Sequence, residues 1–297
     1  MTRTAIAIAT AIALFAFPAH AQDDYRAPRT SVGQPDLQGT WTNETATRFE
    51  RPSEMAGRLI MTPEEVAELD RRTEFRPAMR VNGEPRTSLI TNPPDGRVPA
   101  MKPGAAPDPR YYTLKPSEKV TDGPELQPID DRCILPIFNN AGPVMLPLPG
   151  NSNYQIVQTA DHIVILVEMI HDARIVRLNR AHRKDNIRPY LGDSIGWWEG
   201  ETLVVETTNF PAGQIFRGSW INLKVTERFT RVGENRLHYG FTVEDASKWD
   251  APWGGEYEFR PAHGPITEYA CREGEISLPS MLRAARLEEA AERERAR

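Results

Sequence analysis

The stretch "NYQIVQTADHIVILVEMIHDARIVRLNR" (residues 153–180) decides the fold. It reads as three short strands, with turns near Ala160-Asp161 and His171-Asp172. The middle run, "HIVILV", is apolar on both faces and is expected to be covered on both sides. The same texture continues downstream. "SIGWWEGETLVVETTNF" is a hairpin around Gly200, and "LKVTERFTRVGENRLHYGFTVED" is another, turning at Gly233-Glu234-Asn235. "GEYEFRP" and "ITEYACR" supply two more strands. Short β-rich runs at even spacing, punctuated by Gly, Asn and Asp, are the signature of an antiparallel barrel or sandwich. The chain is therefore mainly β, with this sheet over residues 151–275.

The flanks have a different character. Nineteen of the 25 prolines that follow residue 21 fall within 22–150, in runs such as "TNPPDGRVPAMKPGAAPDP" and "AGPVMLPLPG". Proline removes a backbone donor and fixes φ, so this half reads as an extended wrap packed over the surface of the sheet. One helix interrupts it. In "TPEEVAELDRRTEF" Thr62 is the N-cap, Pro63 the first helical residue and Glu65 the partner of a capping box. Val66, Leu69 and Phe75 give that helix a thin apolar stripe. The last segment, 276–297, contains "SLPSMLRAARLEEAAERERAR", a helix that becomes charged all round.

The opening "MTRTAIAIATAIALFAFPAHAQDD" has one early arginine, an apolar stretch from Ala5 to Pro18, and then Ala19-His20-Ala21. That is the pattern of a secretory signal peptide over residues 1–21, cleaved between Ala21 and Gln22. The apolar stretch is too short for a spanning helix, which takes about 20 residues. The expected location is periplasmic or secreted, with no membrane span in the mature chain. Formal charge is −5 for the whole chain and −6 once Arg3 leaves with the leader. An acidic chain without a basic patch is poorly suited to nucleic acid, whose binding rests on neutralising phosphates. Two cysteines remain, Cys133 and Cys271, and in an oxidising compartment such a pair is expected to be bridged.

Candidate chemistry gathers in "EMIHDAR" (168–174). A carboxylate from Asp172 or Glu168 can hold the His171 imidazole in one tautomer and raise its basicity, with Arg174 available to an anionic group. Glu168 and His171 lack a third ligand for a metal, and no metal or cofactor is implied. "GDSIGWWEGETL" offers Asp193, Trp197 and Trp198. Adjacent strand residues point to opposite faces, so one tryptophan enters the core and the other faces solvent, ligand or the wrap. "EDASKWDAPWGGEYEF" places Trp249 and Trp253 among acids in a loop, where they either bind a ligand at a barrel mouth or clamp the loop to the core. No Gly-x-Ser-x-Gly, P-loop, Rossmann glycine pattern or haem motif is present in the sequence.

Two resemblances add to this reading. Gly39-Thr40-Trp41, in "PDLQGTWTN", resembles the Gly-x-Trp opening strand of lipocalin-type barrels. The blocks "SLITNPPDGRVP", "YQIVQTADHIVILVEMIHDARIVRL", "GDSIGWWEGETLVVETTNF", "VTERFTRV" and "TEYACREG" resemble a family of secreted Gram-negative bacterial proteins without established activity, over about residues 36–290. In the last block Thr267 stands where an aromatic residue is commoner. The second resemblance implies export and a shared fold, and it assigns no reaction.

The first functional expectation is a periplasmic β-barrel that binds a small apolar or aromatic ligand. The alternative is a cofactor-free lyase, hydratase, isomerase or hydrolase run by a His171–carboxylate pair. A pocket uniting His171, an acid and Arg174 would favour the enzyme, and a barrel filled by its own side chains would favour an interaction role. Ligand identity and oligomeric state are not written in any motif of the chain.

Overall fold

The first strand, β1 (Gly39–Thr42), lies at the seam of the sheet. Gly39 has φ +138°, a conformation that side chains rarely adopt, and a Cβ there would press on the Trp41 indole at 3.4 Å. Trp41 is buried, donates from Nε1 to the Leu37 carbonyl at 3.0 Å, and carries the Arg231 guanidinium over its ring.

The computed structural model describes residues 25–73, 76–109, 118–136, 140–271, 273–274 and 276–297. The expected signal peptide and Phe75 lie outside the described residues. After β1 come α1 (Pro63–Arg72), the short strands β2 (Arg80–Val81) and β3 (Glu84–Pro85), and β4 (Ile90–Asn92). The main series is β5 (Asn153–Gln158), β6 (His162–Val167), β7 (Ala173–Leu178), β8 (Asp193–Glu199), β9 (Thr202–Thr208), β10 (Lys224–Gly233), β11 (Arg236–Glu244) and β12 (Trp253–Pro261). The chain ends in α2 (Ser277–Arg295). Among the described residues no helix is long and apolar enough to cross a membrane.

Among the described residues, nine strands close into a barrel in the order β1-β5-β6-β7-β8-β9-β10-β11-β12, with β12 returning to β1. β4 and β1 share one edge of β12, near its start and its end respectively. β4 can approach because Gly255 has no side chain; a Cβ there would stand 2.0 Å from the Leu89 carbonyl. Strand alternation puts Ile163, Ile165 and Val167 inside with Tyr154, Phe229, Tyr239 and Tyr257, all buried in one core. At α1 the Thr62 hydroxyl accepts from the Glu65 amide while the Glu65 carboxylate accepts from the Thr62 amide, and Pro63 fills the first turn.

Four details differ from the sequence expectations. The sheet is not antiparallel throughout, because β7 and β8 run parallel. Residues 179–192 turn the chain back so that Ser194 pairs with Val176 and β8 runs beside the second half of β7. "ITEYACR" forms no strand in its described residues. Both edges of β12 are already taken, and Cys271 is drawn away to a disulfide with Cys133, Cα–Cα 6.0 Å.

The wrap also leaves the outer face of β6 uncovered. Val157, Val164 and Ile175 align there across β5, β6 and β7, and Val157 and Ile175 are exposed. The wrap instead binds the β12 edge and the loops at 217–221 and 245–249, where Asp108 accepts from the Trp220 and Ile221 amides at 2.9 Å and pairs with Lys248. Finally, part of the wrap enters the barrel rather than crossing over it. Ala141, Val144 and Met145 are buried within the core.

Candidate functional site

"EMIHDAR" sends its polar residues to three different places. β6 ends at Val167, and Met169–His171 form one tight turn before β7 begins. Ile170 (φ +61°) and His171 (φ +44°) are both left-handed. For a β-branched residue such as Ile170 that conformation costs on the order of 1–3 kcal/mol and persists only where packing enforces it. Here Met169 and Ile170 pack with Leu148, Tyr269 and the Cys133–Cys271 bridge.

Glu168 turns to one side. It is buried and accepts from Asn153 Nδ2 at 2.8 Å and Thr267 Oγ1 at 3.2 Å. It borders a cleft of ≈ 720 Å³ together with Thr42, Arg260 and His263. Burial depresses the pKa of the Arg260 guanidinium, which donates to the Glu44 carbonyl at 2.7 Å.

His171 and Asp172 face a second cleft, of ≈ 630 Å³, beside β7. His162, Arg177, Arg183 and Asp193 give it polar walls, and Ile134, Ile175, Pro189, Tyr190 and Leu191 give it apolar ones. His171 is exposed and makes no ion pair with a described carboxylate. Asp172 is half-buried. Burial pushes its carboxyl above the ordinary range, and the Ala173 amide at 3.0 Å and the nearby His171 only partly offset that.

Arg174 goes inward, on the β7 face that points into the barrel. It borders the same cleft, but its guanidinium is buried against Glu227 of β10, 2.8 Å from Nη2 to Oε2 and 3.1 Å from Nη1 to Oε1. His171, Asp172 and Arg174 thus line one cleft, but the Arg174 guanidinium is turned inward onto Glu227.

Asp193 opens β8 at the parallel junction. Burial opposes its charge, yet the Arg183 amide, His182 and Arg177 outweigh burial and hold the carboxyl below its ordinary value. The distances are 2.8 Å from Arg183 N, 2.9 Å from His182 Nδ1 and 2.6 Å from Arg177 Nη2. The other nitrogen of His182 lies 3.1 Å from Glu206. This imidazole, held between two carboxylates, was not evident from sequence spacing. Asp193 and Glu206 are diagonal neighbours across the β8–β9 register, which the hairpin around Gly200 does encode. His182 reaches them from the crossover, whose path no local pattern specifies.

The tryptophans divide as strand geometry requires. Trp198 packs against the core, while Trp197 stays outside and donates to Glu199 at 3.0 Å. Trp249 and Trp253 belong to the core. Both are buried and packed together, with Trp253 stacked on Phe216 and Trp249 donating to the Pro99 carbonyl at 3.1 Å.

No protein-family model matches the chain, and no curated protein is similar to it. Among solved structures it is similar to a point mutant of the fluorescent protein UnaG, at 15% identity over 46% of this chain and 86% of that one, with a TM-score of 0.27. That similarity is too slight to carry an argument, and the barrel assignment rests on the strand pairing.

Proposed function

We propose that the chain is an exported barrel protein, of the secreted Gram-negative kind its sequence resembles, that binds a small molecule in the cleft beside β7. The observation that carries the reading is the placement of Asp172 and His171 side by side on that cleft. A half-buried carboxyl that resists ionisation beside an imidazole with no ion-pair partner among the described residues, in a cleft with apolar walls, is a recognised combination at binding and catalytic sites. Its volume lies within the usual few-hundred to about 1,000 Å³ range for small-ligand sites. Exposed Tyr190 and Ile175 offer contact area to an apolar or aromatic body, and His171 and Asp172 can fix a polar group on it.

A second reading follows from the same two residues. With its carboxyl raised, Asp172 can pass a proton to or from His171 across a bound substrate, as a cofactor-free lyase, hydratase, isomerase or hydrolase requires. Mass spectrometry of molecules retained by the purified protein tests the binding reading. The expected result is a ligand retained by the parent chain and lost on Tyr190→Ala. A ligand retained equally by both would overturn the assignment to this cleft. Export is tested by the intact mass of protein recovered from the periplasm, which is expected to begin at Gln22.

A further inference from the structure

Residues 140–146 occupy the barrel centre and are held there chiefly through their main chain. Asn43 Nδ2 donates to the Met145 carbonyl at 2.7 Å, and the Tyr257 hydroxyl donates to the same oxygen. The Met145 amide donates to the Tyr239 hydroxyl at 3.2 Å. Gln214 Nε2 donates to the Gly142 carbonyl at 2.5 Å, and the Tyr154 hydroxyl to the Asn140 carbonyl at 2.9 Å. Five inward side chains thus engage the main-chain groups of one passing segment, as they would engage the same groups on a ligand.

Three further observations distinguish a site from mere filling. A barrel that needs only to be filled is filled at least as well by apolar side chains, whereas this one retains the Arg174–Glu227 ion pair. Among the described residues, Arg174 Nε, Asn43 Oδ1 and Gln214 Oε1 are buried around this segment without hydrogen-bond partners, so the polar capacity of the centre exceeds what the segment uses. Seating also depends on one glycine. Gly142 has φ +76°, and a Cβ there would stand 2.7 Å from Met145 Cγ and 3.1 Å from Arg174 Nη1.

We propose that the barrel centre is a latent binding site and that residues 140–146 are its intramolecular occupant, displaced when a ligand enters. The ligand class is a small molecule with an aromatic or aliphatic body and an acceptor-rich head, such as a carboxylate or a pair of carbonyls. The head takes the positions of the Met145 and Gly142 oxygens, where Asn43, Tyr257 and Gln214 donate and Arg174 Nε supplies another N–H. The body takes the place of Val144 and Met145 among the aromatic rings. This site shares only Arg174 with the lining of the cleft beside β7 and does not depend on a ligand in that cleft.

Hydrogen exchange on the native full-length protein tests displacement. The Met145 amide is expected to exchange through a local opening, about tenfold or more faster than the slowest amides of β10 and β11. Exchange at the rate of those strands would overturn the proposal. The probe for the site is 8-anilinonaphthalene-1-sulfonate, an aromatic body with an anionic head. Gly142→Ala is expected to unseat the segment and bind this dye saturably at one equivalent, with cooperative unfolding retained. Intermolecular NOEs from the dye are expected at the rings of Tyr239 and Tyr257. A Gly142→Ala protein that unfolds cooperatively yet binds no dye, or NOEs confined to Tyr190 and Ile175, would place no site at the centre. If that variant does not fold, exchange at Met145 in the parent chain decides, with and without dye: deprotection by dye supports displacement, and unchanged protection refutes it.

Discussion

The guanidinium of Arg174 and the carboxylate of Glu227 meet at 2.8 Å inside the barrel, although their strands are separated in the ring by β8 and β9. Tyr239 adds a hydrogen bond to the carboxylate at 2.9 Å, and burial pushes its phenol well up, so it remains a protonated donor. Breaking such a pair from one side leaves an uncompensated buried charge. Glu227→Gln or Arg174→Met is expected to lower unfolding free energy by about 3–5 kcal/mol, measured by urea titration. Arg174→Met with Glu227→Leu is expected to recover much of that loss. Equal destabilisation of the single and double variants would show that the charge pairing is not the cause.

The Cys133–Cys271 bridge spans 138 residues. The chain-entropy model assigns such a loop about 5 kcal/mol. Cys133→Ser with Cys271→Ser is expected to reduce stability by several kcal/mol, and to loosen Met169, Ile170 and the cleft wall before the rest of the barrel. Native mass two units below the reduced chain, together with silence in a thiol titration, checks that the bridge forms.

Two aspartates flanking the cleft are expected to show opposite pH behaviour. The Asp172 carboxyl is raised in the folded state, so its contribution is fully present below its unfolded value and fades as pH rises through the folded one. Asp172→Asn is therefore expected to stabilise slightly at neutral pH, by less than about 1 kcal/mol given its exposure, and not in strong acid. Asp193 is held low, so its contribution is present above its unfolded value and is lost as pH falls through the folded one. Asp193→Asn is expected to destabilise at neutral pH and to have little effect in strong acid. Melting temperatures of both variants across the acid range test the signs, and parallel curves for the two would contradict this account.

Gly255 controls where the wrap touches the sheet. Gly255→Ala forces a contact at 2.0 Å with the Leu89 carbonyl, so β4 has to leave the β12 edge. The expected loss is about 1–3 kcal/mol, the usual scale of an overpacked site. Proteolytic cleavage is expected to shift to residues 89–92, and an unchanged cleavage pattern would contradict the role given to this glycine.

The hairpins were legible because alternation and turn residues are local. "VTERFTRV" and "LHYGFTV" encode both their strands and their register around Gly233, and "TPEE" encodes a helix start. The Gly39–Trp41 strand was legible only through the Gly-x-Trp resemblance. The path of 140–146 into the barrel was not, since "AGPVMLP" has no period and its partners Asn43, Gln214 and Tyr257 are distant in sequence. The division of "EMIHDAR" was only half legible. Strand alternation places Arg174 on the inward face of β7, but the left-handed turn at Ile170 and His171 follows from packing against a bridge that local sequence does not reveal.

The parallel pair β7–β8 has an arithmetic consequence. Antiparallel neighbours reverse direction at every step, so a ring with an odd number of members cannot alternate all the way round, and one pair must agree. β5 and β12 therefore run the same way, and β1 is the strand that opposes both. Remove it, and the remaining ladder of eight would have to close on a parallel seam that has no pairing of its own. The proline-rich half thus supplies the keystone of the ring, and residue 150 is no place to cut. A fragment starting at 151 is expected to remain open-edged and to aggregate, because the element that closes it lies more than a hundred residues upstream.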